Sequence, residues 1–203
     1  MNQHFEYRPA KLVVFTGSTH RPSKSRALGE YLAERIAAHT PVETERYDVV
    51  DAGPGLGAAF TRKTLSEDAR KVIEAVEGAD ALIAITPVYK GSFTGLFKHL
   101  IDFIEPNALL GKPVLIGATG GGHRHALIVE HQLRPLFGFF SASTAPTSVY
   151  ASDDEFADGR PSEPILLARA EQAATQLAYL IAARQAAAAD AAEADRRPLA
   201  AGA

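Results

Sequence analysis

The chain has 203 residues, 46% hydrophobic and 22% charged, and carries a formal net charge of −3. That fits one globular domain with a full core, excludes the strong basic field of a nucleic-acid binder, and leaves no apolar run near the roughly 18 residues of a membrane span. With no cysteine, no tryptophan and one methionine, disulfides, thiolate metal sites and thiol catalysis are ruled out.

In chain order, MNQHFEYRPA has no apolar stretch ahead of a small-residue cleavage site, so it does not read as a signal peptide, and the expectation is a cytoplasmic protein. KLVVF, residues 11–15, is a buried strand ending at Thr16-Gly17-Ser18. Over 24–38, Leu28, Tyr31, Leu32, Arg35 and Ile36 recur at helical spacing, and Pro41 closes the segment. Residues 42–50 form a second, more polar strand, nearer an edge, followed by the Gly/Pro-rich loop DAGPGLGAAF. A short amphipathic helix covers 66–77, with Ala69, Val72, Ile73 and Val76 on one face.

ADALIAIT, residues 79–86, is apolar on both faces and therefore central. PVYKGSFTG is a loop, and a helix covers 93–104. A fourth strand, 113–118, ends in glycines. From His123 or His125 to about Phe140 the pattern is helical, with Pro135 expected to kink or divide it. A fifth strand covers 144–151, and a last helix runs from Ser162 to about Arg184, with Pro164 near its first turn. The Ala-rich end is a solvated extension or a frayed helix. The expected organisation is a single domain over 1–185 and an extension over 186–203.

Strand followed by helix, five times over, predicts an α/β fold with a doubly wound, open parallel sheet. Ligands of such sheets bind beyond the carboxyl ends of the strands. Three unusual loops fall there: 16–25, 86–95 and 119–125. In the first, Ser18, Ser23 and Ser25 offer hydroxyls, Arg21 and Lys24 offer charge, and the following helix offers free N–H groups and a positive dipole end. A single phosphate is the natural guest, because the loop is neither a Walker A motif nor G-x-G-x-x-G. The competing reading makes the serines ordinary N-caps. In the second loop, Pro87, Val88 and Tyr89 suit a flat heteroaromatic ring, unless Tyr89 packs on the core. In the third, ATGGG lets backbone approach a ligand closely.

GSTHRPSKS, ITPVYKGSFTGLFKHLIDF and LIGATGGGHRHALIVEHQLRPLF together resemble the NAD(P)H-dependent FMN reductases of the flavodoxin-like superfamily. They come nearest to the flavin reductases of two-component alkanesulfonate and methanesulfonate monooxygenase systems. The resemblance covers about 11–151. It implies a five-stranded parallel sheet in the order 2-1-3-4-5, FMN at the strand ends, NADH or NADPH as co-substrate, and a homodimer or homotetramer. It gives Ser18, Ser23 and Ser25 to the FMN phosphate, with either His20 or Arg21 beside them, since relatives often have Arg where this chain has His20. Pro87, Val88 and Tyr89 would line the ribityl chain and ring, and Thr119, Gly120 and Gly121 its far edge. Lys98 matches a recurrent lysine, though a solvated helix charge is as good a reading. The helix after the third loop can carry a π-bulge at a subunit interface, with His131 at the inserted position.

The implied chemistry is hydride transfer from the nicotinamide to the flavin, with no catalytic side chain required; amides of Val88–Lys90 and Gly120–Gly122 would stabilise charge on the reduced ring. Reduced FMN would pass to a partner monooxygenase. Three alternatives stay open: a quinone, azo or chromate reductase that retains FMN, a non-catalytic electron carrier, and a nucleotide-binding regulator. His123, His125 and His131 lack the spacing of a metal site, and no G-x-S-x-G elbow supports a serine hydrolase.

Overall fold

The computed structural model describes residues 8–196. Most of the segment read against a signal peptide, and residues 197–203 of the Ala-rich end, lie outside the described residues. Four long parallel strands form the sheet: β1 (Ala10–Thr16), β2 (Val42–Asp48), β3 (Ala81–Tyr89) and β4 (Pro113–Gly120). The order is β2-β1-β3-β4, with a fifth position on the far side of β4. That position holds two pieces, β5 (Ser143–Thr144) and β6 (Val149–Ser152), rather than the continuous strand expected over 144–151. Pro146 has no N–H to give the ladder, and the Thr147 N–H turns to Gln176 Oε1 at 2.7 Å instead of to β4.

Helices cover both faces. On one side lie α1 (Lys24–Ala37) and α5 (Pro164–Arg196); on the other, α2 (Glu67–Gly78), α3 (Gly95–Ile101) and α4 (Arg134–Phe139). Strand alternation divides the core accordingly. Leu12, Val14, Ile83 and Ile85 meet Leu28, Leu32, Ile36 and Leu177, while Val13, Phe15, Leu82 and Ala84 meet Val72, Ile73, Phe97 and Leu100. Each Val, Leu, Ile or Phe among them contributes about 1.5–3 kcal/mol on full burial, so the two faces together fix the register of the strands and the rim they end on. The Ala-rich segment continues α5 as helix to Arg196. Among the described residues no helix is long and apolar enough to cross a membrane.

One further expectation is corrected and one refined. PVYKGSFTG is a hairpin: β3 runs on through Pro87 to Tyr89 and turns back at Lys90-Gly91 to a short strand, Ser92–Phe93. Both turn residues have positive φ (53° and 82°), as a two-residue hairpin turn that follows the strand twist requires. The segment after the third loop, expected as a helix that Pro135 kinks or divides, changes its winding ahead of that proline. It is a 3₁₀ turn (His123–His125), a π turn (Val129–Leu133) and then α4, with Pro135 in the first turn of α4.

Candidate functional site

The loops after β1, β3 and β4 meet at one rim. Gly17 N–H donates to Ile85 O at 2.7 Å, Thr94 Oγ1 donates to Gly17 O at 3.0 Å, and Ser25 Oγ lies 2.6 Å from Thr119 Oγ1. Between the loops is a cavity of about 790 Å³. Ser18, His20, Arg21, Ser23 and Ser25 line it from the first loop, Pro87, Val88 and Tyr89 from the second, and Thr119, Gly120 and Gly121 from the third. Lys90 is not on the wall; it holds the hairpin turn.

In the first loop the serines brace the backbone. Ser18, fully buried, donates to His20 O at 2.9 Å. Ser23 caps α1, accepting the Arg26 N–H at 3.3 Å, and the 14-residue helix behind it aims its N-terminus at the cavity wall. Arg21 is turned to carboxylates: its Nε and Nη2 donate to Asp48 at 2.8 and 2.9 Å, and Nη2 also to Asp51 at 2.6 Å. Asp48, then Asp51, raise the Arg21 pKa further above its ordinary value. Burial opposes ionisation of Asp48, yet hydrogen bonds from Arg21 and Arg26 outweigh it and hold its carboxyl below the usual range. The His20 ring is exposed on the cavity wall and has no hydrogen-bond partner among the described residues.

Tyr89 is 45% exposed, on the cavity rather than in the core. In the third loop Gly120 has no room for a side chain: a Cβ there would lie 2.5 Å from Tyr150 Oη, and that hydroxyl donates to Gly122 O at 2.6 Å. Sequence reasoning left Asp153 and Gly159 out of the wall. Asp153 closes it by holding Lys24, whose Nζ is 3.0 Å from Asp153 Oδ1. The available signal was its position just beyond the fifth strand position.

The π turn bears on the same rim. Arg134 N–H reaches Val129 O, five residues back, and His131 is exposed midway along the turn. Its neighbour Gln132 accepts from Ser92 Oγ and donates to Gly91 O at 3.4 Å, tying the turn to the tip of the second loop. Lys98 pairs with Asp102 one turn on, as a helix-surface charge. His123 faces Ser152 Oγ at 3.3 Å and His125 accepts from Arg124 Nε at 3.2 Å; no group of three metal-ligating residues is gathered among the described residues.

This donor set fits flavin mononucleotide. One end of the cavity has a helix N-terminus and loop amides for a phosphate; the other has Pro87, Val88 and Tyr89 facing bare glycine backbone, a slot for a flat ring.

The family model described as NADPH-dependent FMN reductase matches residues 10–156. The chain is 45% identical over 173 residues to the NADH-dependent FMN reductase SfnF of Pseudomonas fluorescens, covering 85% of this chain and 92% of that one. It is 42% identical over 176 residues to an FMN reductase (NADPH) of Pseudomonas aeruginosa, covering 87% and 95%. Among solved structures, an oxidoreductase from Corynebacterium diphtheriae superposes with a TM-score of 0.78 at 30% identity, covering 86% of this chain and 98% of that one. The matched stretch contains all three rim loops, and the chain belongs to the NADPH-dependent FMN reductase family.

Proposed function

We propose that this chain reduces FMN with NADH or NADPH and hands the reduced flavin to a separate flavin-dependent monooxygenase of the sulfonate or sulfone type. The observation that carries the reduction is the single cavity wall assembled from residues 18–25, 87–89 and 119–121. Bound FMN supplies the ring that accepts hydride from the nicotinamide. The chain's own groups bind and orient. The first loop and the N-terminus of α1 hold the phosphate, with the exposed His20 ring on the wall beside it. Pro87, Val88 and Tyr89 flank the ring, and backbone N–H groups of Gly120 and Gly121 face its far edge. Tyr89 is itself half-exposed at the slot, which suits a flavin that enters and leaves.

A cytoplasmic location is read from the composition and sequence pattern, and the partner monooxygenase from the resemblance to two-component reductases. The same reading makes the chain a homodimer or homotetramer, with His131 at the contact. Exposed Leu127 and Phe139 flank the π turn as apolar surface for a second copy to cover. The test is NAD(P)H oxidation by purified protein. A colourless preparation that turns over added FMN supports the supplier reading. A bright yellow one with ping-pong kinetics and retained flavin replaces it with a prosthetic-flavin reductase. No NAD(P)H oxidation with FMN rejects both.

A further inference from the structure

Arg21 stands in the phosphate loop, yet its guanidinium is committed elsewhere. The parallel register of β1 and β2 sets Asp48 beside Thr16, at the root of that loop. Asp48 is fully buried. It accepts two bonds from Arg21, one from Arg26 Nη1 at 2.9 Å, and the N–H groups of Val50 and Asp51 at 2.9 and 3.3 Å. Asp51 takes the remaining reach of Arg21 and also accepts the Asp48 N–H at 2.9 Å. Arg26 pairs with Glu30 at 3.0 Å as well, so two guanidiniums face three carboxylates. Such a cluster has no positive charge left for an anion. A two-pronged arginine–carboxylate pair fixes direction as well as distance, and withdrawing Arg21 would leave a buried carboxylate short of a partner.

We propose that Arg21 and Asp48 are positioning residues: together they tie residues 18–25 to the end of β2, and so set where the loop amides and the N-terminus of α1 meet the flavin phosphate, which Arg21 itself does not touch. This rests on the FMN-reductase reading of the cavity. The rival arrangement has Arg21 leave its carboxylates and bind the phosphate. The two differ in sign at Asp51, because neutralising it loosens a tether in the first case and releases a phosphate ligand in the second.

The experiment is steady-state NADH oxidation with FMN and with riboflavin, which lacks the phosphate, for the wild type, R21Q, D51N and R21Q/D51N. The proposal expects R21Q to raise the KM for FMN about tenfold, with kcat and the KM for riboflavin unchanged. D51N should move the FMN KM in the same direction by a smaller factor. The double variant should be no worse than R21Q, since both changes cut one tether. D48N should follow R21Q where its thermal melt shows it folded, and R21Q with D51N decides the matter where it does not. A lower FMN KM in D51N, multiplying effects in the double variant, or an unchanged FMN KM in R21Q overturns the proposal while leaving the cavity assignment intact. A wild-type protein that turns over neither flavin overturns both.

Discussion

Ser25 Oγ and Thr119 Oγ1 lie 2.6 Å apart, both buried, and join the first turn of α1 to the end of β4 across 94 residues of sequence. That bond ties the first rim loop to the third on the cavity wall. Ser25→Ala or Thr119→Val leaves one buried hydroxyl without its partner, which costs about 1–3 kcal/mol. Removing both groups should cost less than the sum, because neither remains unpaired. Urea unfolding of the two single variants and the double variant measures this. The FMN KM should rise severalfold in each, and equal, additive losses would show that the hydroxyls do not act as a pair.

Gly120 is fixed by its neighbour. Gly120→Ala would drive a Cβ to 2.5 Å from Tyr150 Oη, so either the tyrosine or the third loop must shift. Weakened FMN binding and a lower melting temperature are expected. Tyr150→Phe in the same chain removes the clashing oxygen and should restore part of both, at the loss of the bond to Gly122 O. No recovery in the double variant would place the damage elsewhere in the loop.

Glu130 gives the fold an acid-sensitive link. Hydrogen bonds from Arg134, opposed by burial and assisted by Ser148, hold its carboxyl down at about 2, against an ordinary 4.5. Arg134 in turn donates to Ala145 O and Pro146 O, at 3.1 Å each, in the gap between β5 and β6. The folded pKa is depressed, so the link contributes stability above pH 4.5 and loses it as pH falls from there toward 2. Glu130 is partly exposed, so solvent screening reduces the effect. Glu130→Gln should flatten the pH dependence of unfolding in that window and leave the slope above pH 5 unchanged.

At the opposite end of the sheet, buried Lys112 donates to Val76 O and Glu77 O at 2.9 and 2.7 Å, capping α2. Burial, with Arg184 nearby, pushes its pKa down to about 8 from 10.5. The unfolded chain therefore binds more protons between those values, and stability should rise with pH from about 8 to about 10.5 through this group. Denaturant melts at pH 8, 9 and 10 should show that rise in the wild type and a smaller one in Lys112→Met.

The sheet and its rim were legible because they rest on periodicity and turn chemistry. LVVF, ALIAI and PVLIGA are unbroken apolar runs that only a doubly covered parallel sheet buries, and the glycines and serines after them mark the binding edge. The π turn around His131 was reached only by resemblance, since nothing in VEHQL by itself asks for a wider turn. The partners of Arg21 were not legible. Asp48 is 27 residues away, and only the β1–β2 register brings it to the loop. The break in the fifth position was foreshadowed by Pro146, but which acceptor Thr147 would take instead depends on α5 lying alongside.

The most direct test of the account is a crystal structure with FMN bound. It should place the phosphate against residues 18–25 and the N-terminus of α1, and the ring between Pro87–Tyr89 and Thr119–Gly121. Flavin seated elsewhere, for instance in the second cavity beside Phe60, Phe103 and Phe139, with the rim loops bare, would contradict it.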